Sequence, residues 1–426
     1  MLDLRFIREN PDAVRRACEV KRHAADIDQL LELDQAWRDA TSRADQIRAL
    51  VKSASKEIGG LMKAGKRDEA EAKKAEVAAA KSQLEEIERT EGETRAEIDD
   101  LLLRIPNLPH ADVKAGPEET CNEEVHRWGE PRTFDFKPRD HVEIAESLGL
   151  IDFKRAAKLA GSGFACFTGL GAKLERALIG WMIDMHVERH GYREVSTPFI
   201  VTSEVMVGTG QLPKFAEDMY HVPKEDFWLI PTAEVPVTNL HRGEILSADD
   251  LPIKYVAHTP CFRSEAGSYG KDVRGLSRVH QFDKVEMVNF TTPETSWDQL
   301  ETLRREAEEV LEALGLHYRT LRLSTEGMTF ASAMTYDLEV WAPGAKRFYE
   351  VSSASCYADF QARRAGIRFR RTSESKPEFV HTLNASGLAL PRLVIALLET
   401  YQRGDGTVEV PEPLRHRLGA DALRPE

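Results

Sequence analysis

A chain of 426 residues, 42% hydrophobic and 30% charged, has room for two domains with large cores, and its net charge of -13 excludes indiscriminate nucleic-acid binding. No apolar run approaches the roughly 20 residues of a membrane helix, and Met1 to Asn10 is charged where a secretion signal would be apolar. A cytoplasmic protein with no membrane partner is therefore expected. The five cysteines, an odd number without a CxxC pair, predict buried free thiols rather than disulfides or a zinc site.

From Ile27 to Leu61 the apolar residues keep a heptad. Leu30, Trp37, Ala44, Val51 and Ile58 form one column and Leu33, Ala40, Ile47, Ala54 and Leu61 the other, which predicts a coiled-coil helix. Gly59-Gly60 and Gly65 are expected to interrupt it. A second helix resumes near Asp68, with Ala70, Val77, Leu84 and Ile98 in one column and Ala80, Ile87 and Leu101 in the other. Two such helices joined by a short turn predict an antiparallel hairpin, an arm over about residues 27–103, each limb ~50 Å long. Pro106 and Pro109 close it. Around the tip, from Arg48 to Lys74, eight basic residues stand against four acidic ones; from Leu84 to Asp100 eight acidic residues face two basic ones. A solvated face, a protein-docking rod and a phosphate-binding rod all fit this pattern.

Ala111 to Trp128 is polar and reads as a linker. Helices are expected at 141–148, 171–190, 296–314 and 388–402, and strands at 192–198, 227–230, 254–258, 279–289, 336–340 and 348–352. Strands that follow one another with few helices between them predict an α+β body, an antiparallel β-sheet flanked by helices. It would span residues 106–426, after an N-terminal helical domain of residues 1–105.

The stretch from Cys261 to Glu286 gathers the most chemistry. Arg263 and Glu265, two apart on an extended segment, would point the same way, offering a cation for a phosphate beside a carboxylate for an amine. The alternating run Val279 to Glu286 would return Phe282 and Glu286 to the same space. No GxxxxGK[ST] loop or dinucleotide-binding glycine fingerprint occurs, so a bound phosphate would rest on a metal and on arginines, with Arg263, Arg278 and Arg392 as candidates. Gly208-Thr209-Gly210 reads as a flexible loop. Glu286 also has a plain structural reading, a salt bridge to Lys284 on the same strand face.

Three segments resemble the signature motifs of class II aminoacyl-tRNA synthetases: the long helix and strand ending at Pro198, the run from FRSE to HQFDKVE, and Gly387-Leu388-Ala389-Leu390-Pro391-Arg392. The resemblance narrows to the bacterial-type seryl-tRNA synthetases through TGQLPKF (209–215), IPTAEVP (230–236), FRSEAGS with HQFDKVEM, TYDLEVW (335–341), DFQARR (359–364) and HTLN with SGLAL, all in the family's order. The hairpin and the IPN turn resemble the family's tRNA-binding arm. Essentially the whole chain is covered.

The resemblance implies that L-serine is activated with ATP and Mg²⁺ to seryl-adenylate and passed to the 3′ terminal ribose of a tRNA of the long-variable-arm type. It also implies that the arm holds the tRNA, in a homodimer formed through the first motif. Arg263 and Arg392 match the catalytic arginines on the α- and γ-phosphate sides. Thr232, Ala233, Glu234, Arg263, Glu286, Asn384 and Ser386 match positions around serine. Around ATP the matching positions are Arg263, Ser264, Glu265, Arg278, Val279, Phe282, Glu350, Val351, Ser352, Ser353 and Arg392. Among these, Glu265 would face the adenine amine, Phe282 would stack on its ring, and Glu350 and Ser353 would hold the metal. A cavity that hydrogen-bonds a hydroxyl rejects the analogue lacking it, because its own polar groups would be left unpaired.

Four segments depart from the family pattern. GSRF, GDMG, a lysine and SCSNC are replaced by Gly161-Ser162-Gly163-Phe164, Glu326-Gly327-Met328-Thr329, Met334 and Ser353-Ala354-Ser355-Cys356-Tyr357. These leave two other readings open, a synthetase-like paralogue delivering activated serine to a carrier protein or secondary-metabolite pathway, and a non-catalytic tRNA-binding protein. Intact Arg263, Glu265, Glu286, Glu350 and Arg392 speak against the second.

Overall fold

The computed structural model describes residues 1–266 and 274–425. Gly267, Gly270 and Lys271, the last expected either to meet the acceptor end of tRNA or to be plain surface charge, lie outside the described residues. The chain forms two compact units. One comprises Leu2–Glu19 and His23–Ile105; the other comprises Met1, Val20–Arg22 and Pro106–Glu426.

In the first unit, helices α1 (Ile27–Lys63) and α2 (Arg67–Arg104) pair through the two heptad columns. Leu30, Ala44, Ala54, Ala70, Val77 and Ile98 are buried, and no other heptad position is fully exposed. Ion pairs cross the seam from Arg48 to Glu88 at 2.8 Å and from Lys73 to Glu57 at 3.1 Å, and the Arg95 guanidinium lies 5.6 Å from the Trp37 ring centre. Contrary to expectation, α1 runs through Gly59-Gly60 to Lys63. Nothing lies within 4 Å of the missing side chains, so these are solvent-facing helical glycines, each tolerated at a cost of about 1 kcal/mol. Gly65, at φ +75°, makes the turn instead. At the tip Lys52, Lys56, Lys63 and Arg67 are exposed and form no ion pair among the described residues.

The second unit is organised by an eight-stranded sheet. In chain order its strands are β1 (Glu123–Trp128), β2 (Arg193–Glu194), β3 (Ile253–Phe262), β4 (Gln281–Thr291), β5 (Tyr318–Arg322), β6 (Met334–Ala342), β7 (Arg347–Cys356) and β8 (His381–Ala389). Across the sheet the order is β1-β5-β6-β7-β8-β4-β3-β2. Every neighbouring pair is antiparallel except β2 with β3. Helices α3 (Gly169–Glu188), α4 (Ser296–Ala313) and α5 (Leu390–Tyr401) contribute Leu178, Leu311 and Leu397 to the main core, where they meet Val285, Met287 and Ala385 from one face of the sheet. Alternation along the strands turns Lys284, Glu286, Asn384 and Ser386 to the opposite face.

Several elements differ from expectation. The linker ends in the edge strand β1, whose burial is partial throughout and whose residues are therefore mostly charged. Strands β5 and β8 were not expected. Along β8, Thr382, Asn384 and Ser386 are polar because their face lines a cavity, which removes the apolar run that marks a central strand. The strand expected at 192–198 shrinks to Arg193–Glu194 and runs parallel to β3. Arg263 and Glu265 do not share a strand: β3 ends at Phe262, and Glu265 adopts a left-handed φ of +52°. Of the five free cysteines, Cys18, Cys261 and Cys356 are buried, whereas Cys121 and Cys166 are partly exposed.

At the β4–β8 pairing the register shifts between Ser386 and Leu388, and Gly387 sits at that irregularity. A Cβ on Gly387 would stand 2.5 Å from Nε2 of His186, which itself lies 3.1 Å from the Gly387 carbonyl. Burial pushes the His186 imidazole down to about 3, so it stays neutral and donates to that carbonyl. Substituting Gly387→Ala is expected to cost about 1–3 kcal/mol by overpacking. Thermal unfolding measures this directly, and an unchanged Tm would refute the close approach.

Candidate active site

A cavity of about 570 Å³ opens on the sheet face carrying Phe282, Lys284 and Glu286 of β4 and Asn384 and Ser386 of β8. Glu286 and Ser386 stand directly opposite each other across the strand pair. Two groups of side chains line the cavity.

The first group is acidic and buried. Lys284 Nζ donates to Thr232 Oγ1 at 2.8 Å and pairs with Glu286, so the salt bridge anticipated for Glu286 exists and is itself part of the cavity wall. Glu234, at the start of the short helix Glu234–Thr238, accepts from Gln361 Nε2 at 2.6 Å, and Gln361 in turn accepts from Thr382 at 2.7 Å. Burial, and then the charge of Glu286, raise the Glu234 carboxyl to about 7, although Lys284 pulls it back. Two buried carboxylates therefore share one buried ammonium. The arrangement has a deficit of one positive charge, which an incoming ammonium group supplies.

The second group is cationic. The Arg263 guanidinium lies 5.2 Å from the ring centre of Phe282, and its Nε reaches the Pro231 carbonyl at 3.4 Å. Arg278 pairs with Glu265. Arg392, in the first turn of α5, donates to the Glu350 carbonyl at 2.9 Å and lies 3.3 Å from its carboxylate. Three guanidiniums around one open space suit a polyphosphate, whose oxygens accept forked N–H pairs.

Oxygen donors for a cation gather beside Arg392. Asp337 of β6 faces Ser353 of β7 across the ladder, with Glu350 on the same strand as Ser353. Burial, and then the charge of Glu350, push the Asp337 carboxyl well above the usual range, and its Oδ1 is buried without a hydrogen-bond partner. An all-oxygen donor set with an unsatisfied carboxylate oxygen fits Mg²⁺. His126, Glu308 and Glu312 also lie within 4.8 Å of one another, but both carboxylates accept from Arg305, and Glu308 also from Arg304 and Thr320. That cluster is an ion-pair network.

Most residues singled out from the sequence meet in the cavity: Thr232, Glu234, Arg263, Glu265, Arg278, Val279, Phe282, Glu286, Glu350, Val351, Ser353, Asn384, Ser386 and Arg392. Three do not line it. Ala233 is fully buried in a neighbouring apolar cluster, Ser352 donates to the Ser386 carbonyl at 2.7 Å, and Ser264 donates to the Glu217 carbonyl at 2.9 Å. Sequence reasoning passed over Lys284, Thr209, Gly210 and Tyr357 as wall residues, and Gln361, which does not line the cavity but donates to Glu234. Thr209 and Gly210 were read as a flexible loop, yet they end the helix Ser203–Thr209, and the Thr209 carbonyl accepts from Gln361. The position of Gln361 inside DFQARR was the available signal.

The departing segments also have structural accounts. Met328 and Met334 are both buried in the main core, and Lys21 Nζ caps the carbonyls of Thr329, Phe330 and Ser332 at 3.1, 3.4 and 2.6 Å. At Met334 apolar packing thus occupies the place where the family pattern has a lysine. A Cβ on Gly163 would stand 2.5 Å from the His280 ring, which fills the space beside it.

Comparison with known proteins agrees with this geometry. Residues 219–401 match the tRNA synthetase class II core domain (G, H, P, S and T), and residues 1–109 match the seryl-tRNA synthetase N-terminal domain. A fold of this kind around a cavity with these arginines defines a class II tRNA synthetase. The serine--tRNA ligase of Thermodesulfovibrio yellowstonii is 51% identical over 425 residues, covering 100% of both chains, and that of Geobacillus kaustophilus is 59% identical over 330 residues, covering 77% and 78%. The seryl-tRNA synthetase of Pyrococcus horikoshii, solved with ATP, superposes with a TM-score of 0.93 at 37% identity over 100% of both chains. The cytoplasmic serine-tRNA ligase of Naegleria fowleri, solved with AMP, gives 0.88 at 29% over 100% and 99%. The chain belongs to the seryl-tRNA synthetase family.

Proposed function

We propose that this protein is a serine–tRNA ligase that makes seryl-adenylate from L-serine and ATP and transfers the seryl group to the 3′ terminal ribose of tRNA. The observation that carries this reading is the joining, in one cavity, of a buried carboxylate pair short of one cation and a set of three arginines. The serine ammonium fits Glu234 and Glu286, while its carboxylate, already ionised at neutral pH, needs no general base. Attack on the α-phosphate then depends on alignment and charge stabilisation. Arg263 bridges the substrate carboxylate and an α-phosphoryl oxygen; Arg392 and Arg278 take the departing pyrophosphate. The Phe282 ring, now beneath Arg263, would offer a stacking face to adenine, and Glu265 would face its amine. Glu350 and Ser353, with Asp337 behind them, would hold Mg²⁺, which when bound neutralises the triphosphate.

Residues 1–105 form the tRNA-binding domain on this reading and residues 106–426 the catalytic domain. Lys52, Lys56, Lys63 and Arg67 at the arm's tip, without an ion pair among the described residues, suit a phosphate backbone. Exposed Phe199 and Ile200, just past the first motif, supply apolar surface for a homodimer. Sedimentation is expected to give twice the 48.0 kDa chain mass, and a monomer at micromolar concentration would overturn that assignment.

The decisive experiment is ATP–pyrophosphate exchange across the amino acids. Serine alone should drive exchange, and chelation of Mg²⁺ should stop it; silence with serine would sink the reading. Deleting Ser42 to Lys81 should abolish tRNA charging yet spare exchange, and equal loss of both would refute a pure tRNA role for the arm.

The Glu234 carboxyl at about 7 gives a pH signature. Its ionised form attracts the substrate ammonium, so serine KM should rise about tenfold from pH 8 to pH 6 as Glu234 gains its proton. The sign for stability is opposite. A carboxyl raised in the folded state disfavours folding as pH climbs from the ordinary carboxylate range through 7, and bound serine offsets this. Replacing Glu234→Gln should flatten the KM profile at a raised level; a flat wild-type profile would contradict the assignment.

A further inference from the structure

Tyr357 stands in a segment where the sequence departs from its family, and its side chain lines the cavity. Its backbone is pinned on both sides: the Tyr357 N–H donates to the Thr382 carbonyl at 3.0 Å, and its carbonyl accepts from Asn107 Nδ2 at 2.8 Å. The buried phenol donates to Asn384 Oδ1 at 3.2 Å. Burial, and then the nearby Glu234 charge, raise the phenol well above its usual range, so it keeps that proton. Asn384 Nδ2 is buried and has no hydrogen-bond partner.

An amide held in this way has one orientation. Were it flipped, Oδ1 would turn toward the Glu234 side of the cavity, placing one acceptor against another. With Oδ1 engaged by the phenol, Nδ2 is turned toward Glu234, close enough to help hold down that carboxyl, yet it completes no hydrogen bond of its own. The carboxylates there can accept hydrogens from a ligand's ammonium and hydroxyl. They cannot satisfy the lone pairs of a hydroxyl oxygen, and Lys284 is already engaged with Thr232 and Glu286. Nδ2, buried at the cavity and without a hydrogen-bond partner, is a donor available to that oxygen.

We infer that Tyr357 is a positioning residue that fixes the Asn384 amide so that Nδ2 donates to the side-chain hydroxyl oxygen of the substrate, making this pair a determinant of hydroxyl recognition. The inference rests on the serine-activating reading above. It names the atom that reads the hydroxyl and the residue that aims it.

The test is pyrophosphate exchange with the full-length enzyme and its Tyr357→Phe variant, which loses one oxygen and keeps the ring. Serine KM should rise about 5- to 20-fold, as expected for loss of one aimed hydrogen bond, with kcat within about twofold and the ATP KM unchanged. Alanine-driven exchange should keep its kcat/KM, so serine-over-alanine selectivity falls by the same factor. In an Asn384→Ala background, Tyr357→Phe should add nothing. A serine KM within twofold of wild type would overturn the inference. So would equal losses for serine and alanine, or effects that multiply in the double variant, because a merely structural tyrosine would produce those patterns. Absence of serine-driven exchange in the unaltered enzyme would instead count against the function itself.

Discussion

The ladder between β3 and β4 holds ten residue pairs in register, from Ile253 opposite Phe290 to Phe262 opposite Gln281, and the rest of the catalytic unit depends on it. Because side chains alternate, this register decides that Val285 and Met287 enter the main core while Phe282, Lys284 and Glu286 face the cavity. A slip of one residue would bury two charges among leucines and expose the core. The second ladder, β4 with β8, inherits the constraint and sets Ser386 opposite Glu286. Hydrophobic burial on one face thus orients the polar chemistry on the other.

That chemistry carries a cost that the fold contains rather than removes. Glu234, Glu286 and Lys284 are all nearly inaccessible to water, and one ammonium cannot fully compensate two carboxylates. The network of Thr232, Gln361, Thr382, Asn384 and Tyr357 spreads hydrogen bonds over the deficit. What remains uncompensated matches a small zwitterion's ammonium. The arginine group is more exposed, its charges softened by Glu265 and Glu350 until a polyanion arrives.

Much of this was legible in the sequence wherever periodicity and burial coincide. The arm could be read column by column because residues that repeat every seven turn from water; the continuation of α1 through Gly59-Gly60 and the burial of Asp34 and Leu102 lie outside that repeat. Strand β4 could be read from its alternation. Strand β8 could not, since Thr382, Asn384 and Ser386 are buried for chemistry rather than for hydrophobicity. The motifs located Arg263, Glu286 and Arg392 without knowledge of the fold. They could not reveal that Glu265 leaves the strand with a positive φ, or that Ser352, Ser264 and Ala233 support the cavity from outside it. Those are properties of backbone path, which one-dimensional spacing does not encode. Gly327 and Met334 looked like losses in the sequence; Met328 and Met334 in the core and Lys21 on the carbonyls give the segment a different foundation.

The β3–β4 ladder also acts as a gauge. Phe282 and Glu286 are four residues apart on one strand, so their separation is fixed at roughly 13 Å by the ~3.3 Å rise of extended chain. A site spanned by such a rung count measures its substrates against backbone geometry, with no joint between the proposed adenine platform and the amino-acid pocket to absorb a longer molecule. Side chains around the walls can change and tune what is bound. The count of residues between the two ends cannot, because one inserted residue would turn Glu286 to the wrong side of the sheet.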